Sequence, residues 1–327
     1  MTEQMPFQVP EEIKKRRGDT GKVYDIIIIG GGPAGMTAAV YASRKKLDVL
    51  MITTDLGGQV LLTSSIENYL GYQYITGREL SDKFGAQVHM FKIDLEMPEK
   101  AAGLEFRNGF FEVRTGSDKA FRTRSVVIAS GKRSRPLNVP GETELIGRGV
   151  TYCSVCDAPL FKGMTVCVVG GGNSAVSAAI DLTKYADKIY LVNIMSEFAC
   201  DRVLLDKVKN SPKVEILRGM EVTKILGKDL VTGIILKDVK TGEMKSLPLQ
   251  GVFIEIGLLP NSDFANGVVV LNKKDEIVVD CACKTSRPGI FACGDVTSVP
   301  EKQIIIAAGE GAKASLAAYR YVIGLNE

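Results

Sequence analysis

The chain has 327 residues, 45% hydrophobic and 24% charged, with a formal net charge of +3. That length and apolar fraction suit two cored domains, and the charge is too small to mark nucleic acid or an anionic membrane as a main partner. With no Trp and one His, His89, a histidine-rich metal cluster is excluded, and any Ser-His or Cys-His pair would have to use that ring.

No apolar run approaches the roughly 20 residues of a membrane span. Residues 1–22 read as an N-terminal tail without the apolar core of a secretory signal, and its KKRR as a solvated patch. The seven Cys, an odd number without an export signal, predict a reducing, cytoplasmic setting.

In chain order, IIIIGGGPAGMTAAV at 26–40 is an apolar run, a glycine turn and a small-residue helix, followed by a second apolar run, LDVLMIT at 47–53. Thr76 and Glu79 form a capping box opening a helical stretch through Phe91, with His89 near its end as a surface or satisfied residue. Asn108-Gly109 predicts a hairpin turn, and residues 121–131 a strand running into a turn at Ser130-Gly131. Pro136 and Pro140 punctuate a predicted linker. At 166–180, VCVVGGGNSAVSAAI repeats the first unit, again followed by an apolar run at 188–194. Further β-like segments span 214–257, a strand ends at Gly294-Asp295, and residues 303–322 predict a buried helix.

Strand, glycine turn, helix and strand, twice over, predict an α/β fold of two Rossmann-like dinucleotide-binding domains. The second is inserted into the first, in three ββα layers. The first domain takes residues 23–146 and 250–327, and the inserted one residues 147–249.

Gly30, Gly32 and Gly35 keep the GxGxxG spacing, with Pro33 and Ala34 in the first helical turn, so that backbone can approach a pyrophosphate at a helix N-terminus. Gly170, Gly172, Asn173, Ser174 and Ala175 repeat the pattern. The strand after each turn lacks the usual acid for a ribose: Thr53-Thr54 with Asp55 next in the first copy, Asn193-Ile194-Met195-Ser196-Glu197 in the second. Either Ser196, Glu197 or Lys188 substitutes in the second copy, or that site no longer uses a nicotinamide dinucleotide well.

Cys153-Ser-Val-Cys156 can close a disulfide within one turn and lower a thiol pKa for exchange. Half a zinc site is the competing use, but no second CxxC or His lies at matching spacing, so no metal is expected. Asp157, next in sequence, is placed to deliver a proton to a leaving thiolate or to cap a helix. Cys281 and Cys283 alternate on a predicted strand, as buried small residues or a second redox pair, and Cys167 sits in a core strand.

Together, GGGPAG, GGQ at 57–59, ENYLG at 67–71, VIASG, CSVCD, VVGGGNSA, GVFIEIG, TSRPGIFACGDV and EKQIIIAAGEGA resemble the low-molecular-weight thioredoxin reductases, from about Val23 onward. The resemblance implies FAD in the first domain, held around Gly30, Gly32, Pro33, Ala34, Gly35, Thr54, Asp55, Gly58, Gln59 and Asn68. Ser130, Gly131, Gly294, Asp295, Lys302, Gln303 and Ile304 would complete that site. It implies that Cys156 faces the flavin, Cys153 attacks the disulfide of thioredoxin or a thioredoxin-like protein, and Asp157 is the general acid. It further implies a homodimer whose inserted domain rotates.

One departure is specific. NADPH-using members carry His-Arg-Arg and, after three intervening residues, another Arg; this chain has Asn193-Ile194-Met195 and Ala199. Losing those cations disfavours NADPH and leaves NADH a weak candidate, with reduced ferredoxin or a reduced deazaflavin as candidate donors. The alternatives are an NAD(P)H or ferredoxin oxidoreductase of the same type, or a non-enzymatic flavin and disulfide sensor.

Overall fold

The computed structural model describes residues 16–62 and 66–325, apart from the side chains of Leu62, Val155 and Cys156. The chain divides into two compact units: one runs to Lys132 and resumes at Pro260, and the other is Arg133–Leu259.

The first unit is built on a seven-stranded sheet. Strands Asp94–Glu96, Val49–Ile52, Val23–Ile29 and Ala120–Ile128 lie side by side in parallel, and Ile290–Ala292 joins the last of them. Strand Val23–Ile29 is buried on both faces, so its isoleucines alternate between two cores. Ile26 and Ile28 pack with helices Pro33–Arg44 and Ile304–Gly324, while Ile27 and Ile29 pack with Phe111, Phe121 and Ile277. The two helices touch closely: a Cβ on Gly311 would come within 2.1 Å of the Ala34 carbonyl oxygen.

Helix Gly77–Val88 opens with the predicted capping box, both reciprocal bonds of Thr76 and Glu79 being made. Strands Ala101–Arg107 and Phe110–Thr115 form the predicted hairpin, with Asn108 and Gly109 both at positive φ. Residues 1–15 lie outside the described residues. Arg16 and Gly18 are edge partners of the sheet rather than free tail: Leu95 N–H donates to Arg16 O at 2.9 Å and Gly18 N–H to Glu96 Oε1 at 2.8 Å.

The second unit has three layers. A five-stranded parallel sheet runs in the order Val214–Arg218, Lys188–Asn193, Thr165–Val169, Gly251–Ile254, Val150–Thr151. Helices Asn173–Leu182 and Arg202–Lys209 cover one face, and an antiparallel meander of Met220–Gly227, Val231–Asp238 and Met244–Pro248 covers the other.

This unit is wider than residues 147–249. Strand Gly251–Ile254 lies inside its sheet, between Thr165–Val169 and Val150–Thr151, so it belongs here and not to the first domain. The predicted linker at Pro136–Pro140 is likewise packed structure. Buried Glu142 accepts from the N–H groups of Leu137 at 2.8 Å and Asn138 at 2.6 Å, and from the Tyr152 hydroxyl at 2.5 Å. Cys281 and Cys283 are not on a strand. Asp280 draws them into a turn by accepting from Ala282 N–H and Lys284 N–H, both at 2.8 Å, which leaves Cys281 exposed and Cys283 buried.

Candidate functional site

In the first unit, the glycine turn folds as tightly as its sequence demands. Gly30 has φ +109°, and a Cβ there would lie 2.3 Å from the Ala129 carbonyl oxygen; one on Gly35 would lie 1.9 Å from Gly30 O. Gly32 differs: among the described residues a Cβ on it would meet only Gly57 O, at 4.0 Å, which leaves the space before it open. Helix Pro33–Arg44 starts there without a side-chain cap. Open N–H groups at a helix N-terminus, fronted by unfilled space over a glycine, form a seat for a pyrophosphate.

Most of the other candidate residues converge on that seat. Gly57 N–H donates to Gly31 O at 2.8 Å, bringing the 55–59 loop alongside. Gly294 lies against Ala34, and Gln59 Nε2 reaches Asp295 Oδ2 at 3.5 Å. Asn68 Nδ2 donates to Gln303 Oε1 at 3.0 Å, just ahead of Ile304 at the start of the C-terminal helix. Burial pushes the Asp295 carboxyl up, against the pull of Lys302 and Lys132, and burial pushes the Lys302 ammonium down.

Ser130 and Gly131 are fixed by a residue the sequence reading missed. Asn261 Nδ2 donates to Ser130 O at 2.8 Å, its N–H donates to Gly131 O at 2.9 Å, and Ser130 Oγ donates to Asn261 O at 2.6 Å. Asp55 and Thr54 are engaged locally: Asp55 accepts from Gly58 N–H at 2.7 Å and from the Thr54 hydroxyl at 3.0 Å, holding the loop's shape. The seat, its open helix end and the carboxylate facing it fit a flavin dinucleotide.

In the second unit, Cys153 is disulfide-bonded, and the described thiols Cys167 and Cys200 are free, as are Cys281, Cys283 and Cys293 of the first unit. The Cys156 side chain lies outside the described ones. Burial pushes the Cys167 and Cys293 thiols well up and the Cys283 thiol to about 11, which keeps all three from acting as thiolates at neutral pH. Asp157 closes the short helix Ser154–Asp157, its N–H donating to Cys153 O at 3.2 Å. Thr151 organises this turn: its hydroxyl accepts from Cys153 N–H at 3.1 Å and donates to Asp157 Oδ2.

The second glycine turn is also formed. Gly170 has φ +147°, and Gly172 precedes helix Asn173–Leu182, which has no side-chain cap. The loop after strand Lys188–Asn193 folds back over it: Ala199 N–H donates to Gly171 O at 2.8 Å, and Asp201 N–H to Asn173 Oδ1 at 2.8 Å. Asn193 is buried and spent on that loop, donating to Glu197 O at 2.8 Å and accepting from Met195 N–H at 3.1 Å. Ile194 and Met195 are 51% and 65% exposed where a phosphate site would need cations. Lys188 cannot substitute, because it opens the strand at the far end and pairs with Glu215 at 2.9 Å.

A second group the sequence reading missed is Glu255. It follows strand Gly251–Ile254, where its N–H donates to Val169 O at 2.8 Å. Its carboxylate accepts from the hydroxyls of Ser174 and Ser154 and from Ser154 N–H, and burial pushes its pKa up to about 6. An acidic residue at the end of an otherwise apolar core strand was the available signal.

The profile of the pyridine nucleotide-disulphide oxidoreductase family matches residues 24–311. The chain is 43% identical over 305 residues to the F component of alkyl hydroperoxide reductase from Pseudomonas putida, covering 92% of this chain and 59% of that protein. It therefore spans less than two thirds of that relative's length. Among solved structures, thioredoxin reductase of Lactococcus lactis superposes with a TM-score of 0.83 at 34% identity, covering 92% of this chain and 99% of the other. A ferredoxin-flavin thioredoxin reductase from Clostridium acetobutylicum superposes with a TM-score of 0.52 at 31% identity, over 93% and 99%.

Proposed function

The chain belongs to the pyridine nucleotide-disulphide oxidoreductase family, and on that premise we propose that it reduces the disulfide of thioredoxin or a thioredoxin-like protein with electrons from a donor other than NADPH. Its class is that of a flavoprotein disulfide oxidoreductase of the thioredoxin reductase and alkyl hydroperoxide reductase F type, whose cofactors are FAD and a pyridine nucleotide. The partner and the donor are the proposed part.

The observation that carries the reading is the disulfide at Cys153 beside an Asp157 that Thr151 holds in place. FAD would be held by the turn at Gly30–Gly35 with Gln59 and Asp295, and when bound supplies two electrons at a time to the disulfide. In this reading the disulfide joins Cys153 to Cys156. Two electrons and two protons convert it to a dithiol. The Cys153 thiolate then attacks the partner's disulfide, Asp157 donates a proton to the departing sulfur, and Cys156 displaces the second. The partner leaves as a dithiol and the Cys153 disulfide is restored. No histidine is required, in keeping with a chain whose only His ends a helix of the first unit.

The donor reading rests on the second glycine turn, where Asn193 is turned inward and apolar Ile194 and Met195 face out. The Clostridium acetobutylicum neighbour, a ferredoxin-flavin thioredoxin reductase, supports a ferredoxin-type donor. A second reading makes the partner a component of a hydroperoxide-reducing system, on the strength of the 43% identity to the Pseudomonas putida protein. Reconstitution with FAD and a chemically reduced donor, followed by thiol counting on candidate partners, tests both. Reduction of a thioredoxin-type disulfide that is lost in Cys153→Ser supports the first, and no reduction of any such disulfide refutes it.

A further inference from the structure

One buried carboxylate of the first unit gathers three segments that carry candidate flavin residues. Glu276 Oε1 accepts from Lys132 Nζ at 2.9 Å and pairs with Lys302 Nζ at 3.6 Å, so a single oxygen holds two ammonium groups. Its other oxygen accepts from Asn272 Nδ2 at 2.8 Å, and its own N–H donates to Asn272 Oδ1 at 3.1 Å, which fixes the carboxylate in place. Lys132 directly follows Ser130-Gly131. Lys302 directly precedes Gln303-Ile304, and it also donates to Thr297 O at 2.6 Å, two residues beyond Asp295. Ile277 N–H donates to Val296 O at 2.9 Å, so the Glu276 segment runs beside the Asp295 segment. Only 13% of the Lys132 side chain and 24% of the Lys302 side chain are exposed.

Bringing two like charges together out of water is costly and persists where an opposite charge offsets the repulsion. We propose that Glu276 is a positioning residue that holds Lys132 and Lys302 as a paired positive charge beside the flavin seat, where they ease flavin reduction. Uptake of two electrons and one proton by a bound flavin adds one negative charge at that seat. A nearby cation favours the more negative form and a nearby carboxylate disfavours it, by an amount that burial enlarges. Glu276 therefore acts in two ways: it places the cations and it partly offsets them. Burial pushes the Asp295 carboxyl up while Lys302 and Lys132 pull it down, so both lysines lie within electrostatic reach of a residue of the seat. This inference rests on the reading that FAD occupies the first unit, and not on the identity of the donor.

Anaerobic titration of the FAD-loaded protein with dithionite against a reference dye reads the equilibrium constant for two-electron reduction of the flavin. The wild type is compared with Glu276→Gln, Lys132→Met and Lys132→Arg. Glu276→Gln keeps size and hydrogen bonding but leaves both cations uncompensated, so its constant should rise at least threefold. Lys132→Met should lower the constant at least threefold, and Lys132→Arg, which keeps the charge, should stay within threefold of the wild type. A merely structural role would move Glu276→Gln and Lys132→Met in the same direction. Any pattern other than opposite shifts, including shifts of one sign, would overturn the proposal. Should Glu276→Gln not hold FAD, the two Lys132 variants decide it, by a fall of at least threefold in Lys132→Met alone. A wild type that takes up no FAD would instead overturn the flavin reading, and this inference with it.

Discussion

The Thr151 hydroxyl donates to Asp157 Oδ2 while accepting from the Cys153 N–H, so one side chain ties the candidate proton donor to the backbone of the redox cysteine. A carboxyl oriented in this way is preorganised for proton transfer to a departing sulfur. In single-turnover reduction of a partner disulfide, Asp157→Asn should slow thiol release by about 10²–10⁴-fold. Thr151→Val should slow it by a smaller factor, on the order of tenfold, through misorientation of the acid. Thr151→Ser, which keeps the hydroxyl, should restore the rate. An unchanged rate in Asp157→Asn would remove Asp157 from the mechanism.

The glycines of the first turn separate folding from cofactor binding. Gly32 has φ −74° and open space before it, so Gly32→Ala should melt within a degree or so of the wild type yet bind FAD poorly. Gly35→Ala should instead destabilise the fold, because its Cβ would lie 1.9 Å from Gly30 O. The ratio of flavin to protein absorbance, alongside thermal melting, reads both effects. Full flavin content in Gly32→Ala would contradict the placement of the pyrophosphate seat.

Glu255 carries a pH signature. Its carboxyl titrates near 6 in the folded chain, raised from an ordinary value of 4.5 by burial, and the hydroxyls it touches do not titrate in this range. A raised carboxyl favours the folded state below the unfolded value, and that advantage is lost as pH climbs from 4.5 through 6. The loss amounts to about 2 kcal/mol at one pKa unit per 1.4 kcal/mol. Denaturant unfolding from pH 4 to 8 should therefore show Glu255→Gln gaining on the wild type across this window and holding the gain at pH 8. A difference independent of pH would contradict the buried carboxylate.

The thiols should sort by burial. In the oxidised native protein, exposed Cys281 should react rapidly with a thiol reagent, and Cys167, Cys283 and Cys293 only on unfolding. Mass mapping of labelled peptides checks this. Cys281→Ser should leave disulfide reduction intact, and a marked loss would revive a second redox pair.

Much of this was legible in the sequence because backbone geometry imposed it. Gly30 and Gly170 need positive φ and close contacts that no side chain allows, so both turns announced themselves. Thr76 with Glu79 and Asn108 with Gly109 likewise carry their local structure in their own side chains. What escaped depends on residues distant in sequence. Glu255 reaches Ser154 and Ser174 only because the parallel sheet brings strand ends together, and Asn261 reaches Ser130 only because the adjoining residues 132–134 and 258–260 pair as a two-stranded sheet. The alternation of Cys281 and Cys283 imitated a strand because the Asp280 turn has no distinctive spacing of its own. The extent of the second unit was misread because Pro136 and Pro140 suggest a linker, whereas buried Glu142 binds that segment into packed structure.

The source of the electrons decides how the protein works. The FAD-loaded protein, mixed anaerobically in parallel with NADPH, NADH, reduced ferredoxin and reduced deazaflavin, should show flavin bleaching in milliseconds to seconds with ferredoxin or deazaflavin, and little with NADPH at micromolar concentration. Rapid bleaching by micromolar NADPH would contradict a donor other than NADPH.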